Sequence, residues 1–117
     1  MKKVLVIEND VDTLDVIGLL LEDTGFEVLP SENRVPIERI LQQQPQLVLI
    51  DYFLNDGYGN EICLEIKANP LTRHIPVVLI STSNNIEQIA IDSLADAYIS
   101  KPFDINDLEK IVRELAV

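Results

Sequence analysis

Three unbroken apolar runs restrict what this chain can fold into: Val4-Leu5-Val6-Ile7, Leu47-Val48-Leu49-Ile50 and Pro76-Val77-Val78-Leu79-Ile80. A strand with one wet face alternates apolar and polar residues. An unbroken run has no wet face, so each of these reads as a strand covered on both sides, the pattern of a parallel sheet between helical layers. Phe26 to Leu29 and Ala97 to Ser100 read as two shorter strands. Helical periodicity fills the gaps. Asp12 through Thr24 carries apolar residues at Leu14, Ile17, Leu20 and Leu21 and ends at Gly25. Pro36 to Gln43, about Asn60 to Ala68 (closed by Asn69-Pro70) and Ile86 to Leu94 follow. Asp104 to Ala116 is last, with Ile105, Leu108, Ile111, Val112 and Leu115 as its inner face. The result is an alternating α/β chain, (βα)5, with right-handed crossovers.

At 117 residues and 47% apolar, the chain suits one globular domain, residues 1–117. No apolar run approaches membrane-spanning length. Met1-Lys2-Lys3 leads straight into a strand, which argues against a signal peptide. The single cysteine, Cys63, fits a reducing cytoplasm. A formal net charge of -11 makes direct binding to nucleic acid or to anionic membrane unfavourable. It suits a basic patch on a protein partner, or a metal cation.

In such a sheet, chemistry gathers where strands end at their carboxyl edge. There the chain offers Glu8, Asn9 and Asp10 after the first strand, Asp51 after the third, Ser81, Thr82 and Ser83 after the fourth, and Lys101 with Pro102 after the fifth. Carboxylates of the first and third loops suit a hard divalent cation such as Mg2+, which prefers oxygen ligands. The cation and Lys101 would offset the charge of an incoming phosphoryl group, the Ser81 hydroxyl would donate to it, and Asp51 would be the nucleophile.

This constellation resembles the receiver domain of two-component response regulators, in particular single-domain chemotaxis-type receivers. The resemblance rests on Val6-Ile7-Glu8-Asn9-Asp10, Leu49-Ile50-Asp51 through Gly59, Pro76 through Ser81, and Ala97-Tyr98-Ile99-Ser100-Lys101-Pro102-Phe103. It implies a doubly wound, flavodoxin-like five-stranded parallel sheet of order 2-1-3-4-5. It implies that Asp51 accepts a phosphoryl group from a histidine kinase or histidine phosphotransfer protein. Glu8, Asn9, Asp51 and the backbone carbonyl of Phe53 would bind Mg2+, and Lys101 would contact the phosphoryl oxygens. Ser81 would be the switch hydroxyl, and Tyr98 the aromatic that moves inward with it. Pro102 would follow a cis peptide bond. A downstream protein effector would read the face of the fourth helix, fifth strand and fifth helix, the face through which such receivers commonly form homodimers.

Three positions depart from the family pattern. Asn9 replaces an acidic residue, which predicts weakened Mg2+ binding. Asn55 replaces a proline, and Thr82 a smaller residue, which would restrict access to the phosphoryl group. Phe53 and Ser83 offer no carboxylate or amide to align a water, which predicts slow self-dephosphorylation and no other enzymatic activity. A second reading, a pseudo-receiver binding proteins without phosphate, rests on Asn9. A third, a small aspartyl-phosphate hydrolase, lacks an Asp-x-Asp arrangement and a cap domain. Simpler roles suit other residues: Asp10 and Asp104 as helix caps, Asp56 as a turn residue, Cys63 as a buried inert thiol, His74 as a surface group, and Gly57 and Gly59 as turn glycines.

Overall fold

The apolar runs are continuous because successive residues face two different helical layers. In the computed structural model, which describes residues 1–117, the central strands are β1 (Lys3–Ile7) and β3 (Leu47–Asp51), with β2 (Glu27–Ser31) at one edge. A two-stranded hairpin, β4 (Phe53–Leu54) and β5 (Gly57–Tyr58), precedes β6 (Val77–Ser81) and the far edge strand β7 (Ala97–Ser100). The main sheet runs β2-β1-β3-β6-β7 with every pair parallel, which is the expected order once the hairpin is set aside. Val4, Val6, Leu47, Leu49, Val78 and Ile80 face α1 (Val11–Asp23) and α5 (Ile105–Leu115). Leu5, Ile7, Val48, Ile50, Val77 and Leu79 face α2 (Ile37–Gln43), α3 (Gly59–Ala68) and α4 (Ile86–Asp92). A fully buried Leu or Ile contributes about 1.5–3 kcal/mol. Two layers of 14 buried residues therefore outweigh any single polar contact and hold the strand ends rigidly.

Local chemistry sets the helix ends. The Asp10 carboxylate accepts from Asp12 N–H at 3.1 Å and caps α1, and Asp104 accepts from Asn106 N–H at 2.7 Å to cap α5. Several expectations need correction. The second strand runs to Ser31 and includes Pro30, which an edge strand tolerates because one side of it needs no ladder donor. The fourth helix ends at Asp92, not Leu94: Ser93 Oγ donates to Ile89 O at 2.7 Å, and Leu94 turns left-handed at φ 65°. Ile105 is 49% exposed rather than inward, because the first turn of α5 starts beyond the point where β7 has ended. Gly59 is not a turn residue. It opens α3 against the end of β3, where an added Cβ would overlap the Asp51 carbonyl oxygen and lie 2.6 Å from Ile50 Cγ2.

Candidate functional site

Parallel register delivers the polar strand ends to one edge. Glu8 N–H still bonds to Ser31 O at 3.0 Å, which extends the β1–β2 pairing and turns the Glu8 carboxylate to the sheet edge, where it is 1% exposed. Asp51 ends β3 at 5% exposure, with Tyr52 N–H bonded to Ile80 O at 2.8 Å behind it. Lys101 follows β7 and is anchored by its own N–H to Ser81 O at 2.8 Å. The peptide bond from Lys101 to Pro102 is cis, as expected.

One ammonium bridges two carboxylates. Lys101 Nζ lies 3.0 Å from Glu8 Oε2 and 3.3 Å from Asp51 Oδ2. Glu8 Oε1 accepts from Asp10 N–H at 3.1 Å, whereas Asp51 Oδ1 has only a long contact, 3.4 Å, from Phe53 N–H. With both acids ionised, the trio keeps one negative charge in excess. Burial pushes the Glu8 carboxyl above its ordinary value, the Asp51 charge adds to that, and the bond from Lys101 only partly offsets it. Burial alone would lower the Lys101 value. The hydrogen bond to Glu8 and the charges of Asp51 and Glu8 outweigh it, so the net shift is upward.

Asn9 completes the cluster. Hydrogen-bond chemistry orients its amide. Nδ2 donates to Phe53 O at 2.8 Å and to Asp51 Oδ2 at 3.1 Å, and Oδ1 faces the Asn55 amide 3.2 Å away. Turned over, the amide would bring Oδ1 beside those two oxygens, three acceptors of three different groups that only a cation would satisfy. These are hard, oxygen-only donors with an adjacent carboxylate in Glu8, a set that fits Mg2+ rather than a thiophilic metal. Only two of the groups are acidic, and no cluster of three His, Cys, Asp or Glu side chains occurs.

The structure thus brings Glu8, Asn9, Asp51, the Phe53 carbonyl and Lys101 together. It does not join Ser81 or Tyr98 to them through side chains. Ser81 is buried, and its Oγ accepts from Ser83 N–H at 3.0 Å; Tyr98 pairs in register with Leu79 and is 39% exposed. Thr82 is exposed. The hairpin that carries Phe53 was not foreseen. Its Asn55-Asp56 tip is anchored by Arg34 N–H donating to Asp56 Oδ2 at 3.2 Å, and the Tyr52 ring packs on Phe53 and Tyr58 with centroids 4.7 and 5.2 Å away. Two-residue strands are too short for any periodicity; the signal that could have found them is Asn55-Asp56-Gly57 between aromatic residues. His74 is exposed at the opposite edge of the sheet, and Cys63 is buried with its thiol pushed up to about 11, mainly by burial.

Comparison with known proteins agrees with this architecture. The family model of the response regulator receiver domain matches residues 4–113. The chain is 29% identical over 118 residues to the DNA-binding dual master transcriptional regulator RpaA of Synechocystis, covering 98% of this chain and 49% of that protein. It spans about half the length of the curated relatives it matches first. A response regulator from Chloroflexus aurantiacus superimposes with a TM-score of 0.92 at 20% identity, covering 98% of this chain and 97% of the other. The response regulator TrrA of Thermotoga maritima, solved in complex with Mg2+ and BeF, superimposes with a TM-score of 0.87 at 22% identity, covering 98% of this chain and 99% of TrrA. On the family match across nearly its whole length, the chain belongs to the response regulator receiver domain family.

Proposed function

We propose that this receiver is a phosphorylation-dependent signalling domain with Asp51 as its phosphoacceptor. The observation that carries the reading is the single ammonium of Lys101 held 3.3 Å from Asp51 Oδ2 and 3.0 Å from Glu8 Oε2 at a rigid strand end. Asp51 Oδ1, the less engaged oxygen, attacks the phosphorus of a phosphohistidine on a histidine kinase or histidine phosphotransfer protein. The P–N bond breaks as the O–P bond forms, and the departing imidazole nitrogen takes up a proton. Lys101 neutralises charge on the phosphoryl oxygens. Glu8, Asn9, Asp51 and the Phe53 carbonyl would hold Mg2+, as the Mg2+ complex of TrrA suggests by analogy. When bound, the cation supplies further charge neutralisation.

The switch follows from Ser81 and Tyr98. Ser81 Oγ is held by one backbone N–H, a bond worth about 1 kcal/mol net. A phosphoryl group on Asp51 draws the hydroxyl toward it, and the half-exposed Tyr98 ring moves into the space released. A small free-energy bias suffices for such a two-state shift. The α4–β7–α5 face then presents a changed surface to a protein effector. Phe53 and Ser83 offer no carboxylate or amide to align an attacking water, so the aspartyl phosphate turns over slowly. No helix is long and apolar enough to cross a membrane, which is compatible with action in the cytoplasm beside a kinase.

The test is incubation with Mg2+ and a small acyl-phosphate donor, read by intact mass. One added phosphoryl group, dependent on Mg2+ and absent in Asp51→Asn, is expected. Asn9 favours a second reading, a pseudo-receiver that binds partners without phosphate; no adduct at any Mg2+ concentration would establish that reading instead.

A further inference from the structure

Two departures from the family pattern, Asn9 and Asn55, are in contact, and their contact has a consequence for the cation. An aspartate at position 9 would present only acceptors to Phe53 O and Asp51 Oδ2. An amide presents either end. With Nδ2 inward, Asn9 donates to Phe53 O at 2.8 Å and Asp51 Oδ2 at 3.1 Å and takes the place a cation would fill. Its Oδ1 then faces the Asn55 amide, 3.2 Å away. Turned over, the amide would place Oδ1 beside those two oxygens and aim Nδ2 at the Asn55 side chain, whose nearest atom lies 3.2 Å away. Asn55 has both a donor and an acceptor, so by its own turn it satisfies either orientation of Asn9. A proline at position 55 would satisfy neither.

We propose that the Asn9–Asn55 amide pair is a two-position cation gate: Asn9 Nδ2 bonds Phe53 O and Asp51 Oδ2 in the absence of a divalent cation, and Mg2+ turns the amide so that Oδ1 joins the ligands while Asn55 accepts Nδ2. The inference rests on the Mg2+ site proposed above. Each Mg2+ that binds displaces two internal hydrogen bonds as well as water, so the site discriminates against low cation concentration by its own chemistry. The gate also shields the Asp51 carboxylate when no cation is present, because the amide donates to the same Oδ2 that Lys101 holds.

The test uses the full chain, isotopically labelled, titrated with MgCl2 from a chelated start and followed by NMR of the side-chain amides, with Asn9→Asp and Asn55→Ala assigning the two signals. In chelator, a coupling across the hydrogen bond from Asn9 Nδ2 to the Phe53 carbonyl carbon is expected. At saturating Mg2+ it disappears, and the Asn9 and Asn55 side-chain signals shift with one common midpoint. Asn9→Asp binds Mg2+ on the order of tenfold more tightly, since ligand charge sets affinity at such sites, yet melts at a lower temperature in chelator. Asn55→Ala weakens Mg2+ binding severalfold. If backbone amides of residues 8–10 and 51–53 respond to Mg2+ while the Asn9 side chain does not, the gate is overturned and the metal site stands. If none of these signals responds to Mg2+, the metal site is overturned and the gate with it.

Discussion

The two edges of one sheet each hold a lysine against carboxylate, and they treat it differently. At the amino edge, Lys67 Nζ meets Asp96 Oδ2 at 2.8 Å, Ile75 O at 2.8 Å and Arg73 O at 3.3 Å, while Asp96 Oδ2 also accepts from Val77 N–H at 2.7 Å. One cation faces one anion, and the remaining contacts tie down backbone at the start of β6. At the carboxyl edge, one cation faces two anions, both nearly buried, and no backbone carbonyl takes up the rest of the ammonium. The first arrangement closes a structure. The second leaves a charge that only a further cation or a chemical step relieves. Equal scaffolding with unequal satisfaction singles out the carboxyl edge as the candidate site.

Changing each edge in turn should separate these roles. The largest expected effect is all-or-none: Asp51→Asn abolishes phosphoryl uptake from an acyl-phosphate donor, and Lys67→Met leaves uptake unchanged, as measured by intact mass. Next is the interior, where Cys63 Sγ donates to Ser93 O at 3.2 Å and its thiol is pushed from 9.0 to about 11. The folded chain retains a proton there that the unfolded chain releases. Stability therefore falls as pH rises from 9 to 11, by about 2 kcal/mol through this group. Urea melts across that range should show the fall in the native chain and a shallower one in Cys63→Ala. Lys67→Met should lower stability at pH 7 by about 2 kcal/mol, because two carbonyls and a carboxylate lose their donor.

The smallest effect has the opposite sign. The Glu8 value is raised in the fold, so ionised Glu8 is less favourable there than in the unfolded chain. Its contribution to stability is lost as pH rises above 4.5 through the folded value. Glu8→Gln in chelator should thus be more stable at pH 7, by about 1 kcal/mol, and should bind Mg2+ more weakly. Thermal melts with and without Mg2+ check both halves. A carboxyl edge that loses stability on this substitution, as the amino edge does on losing Lys67, would erase the contrast.

Much of this was legible in the residues. Unbroken runs such as Leu47 to Ile50 identify a doubly covered sheet, because no other common environment buries both faces of a strand. Strand order needed the family resemblance, since nothing local in Val4 to Ile7 says which strands flank it, whereas the parallel alternation alone put Glu8, Asp51 and Lys101 at one edge. What escaped was set by single atoms. The hairpin at Phe53 is too short for a pattern, the place of Gly59 depends on a carbonyl eight residues earlier in the chain, and α4 stops at Asp92 ahead of a left-handed Leu94 where sequence offers no glycine. Asn9 was legible as a missing charge but not as a donor to Asp51 beside Asn55, because Asn55 lies 46 residues away.

The most direct test of the central claim locates the phosphoryl group chemically. The chain is phosphorylated with an acyl-phosphate donor in Mg2+, reduced with borohydride, digested and mapped by mass spectrometry. Conversion of Asp51 to homoserine, at that position alone and only with Mg2+ present, is the predicted result. Conversion at Asp10, Asp56 or Glu8 with Asp51 intact, or no conversion anywhere, would contradict it.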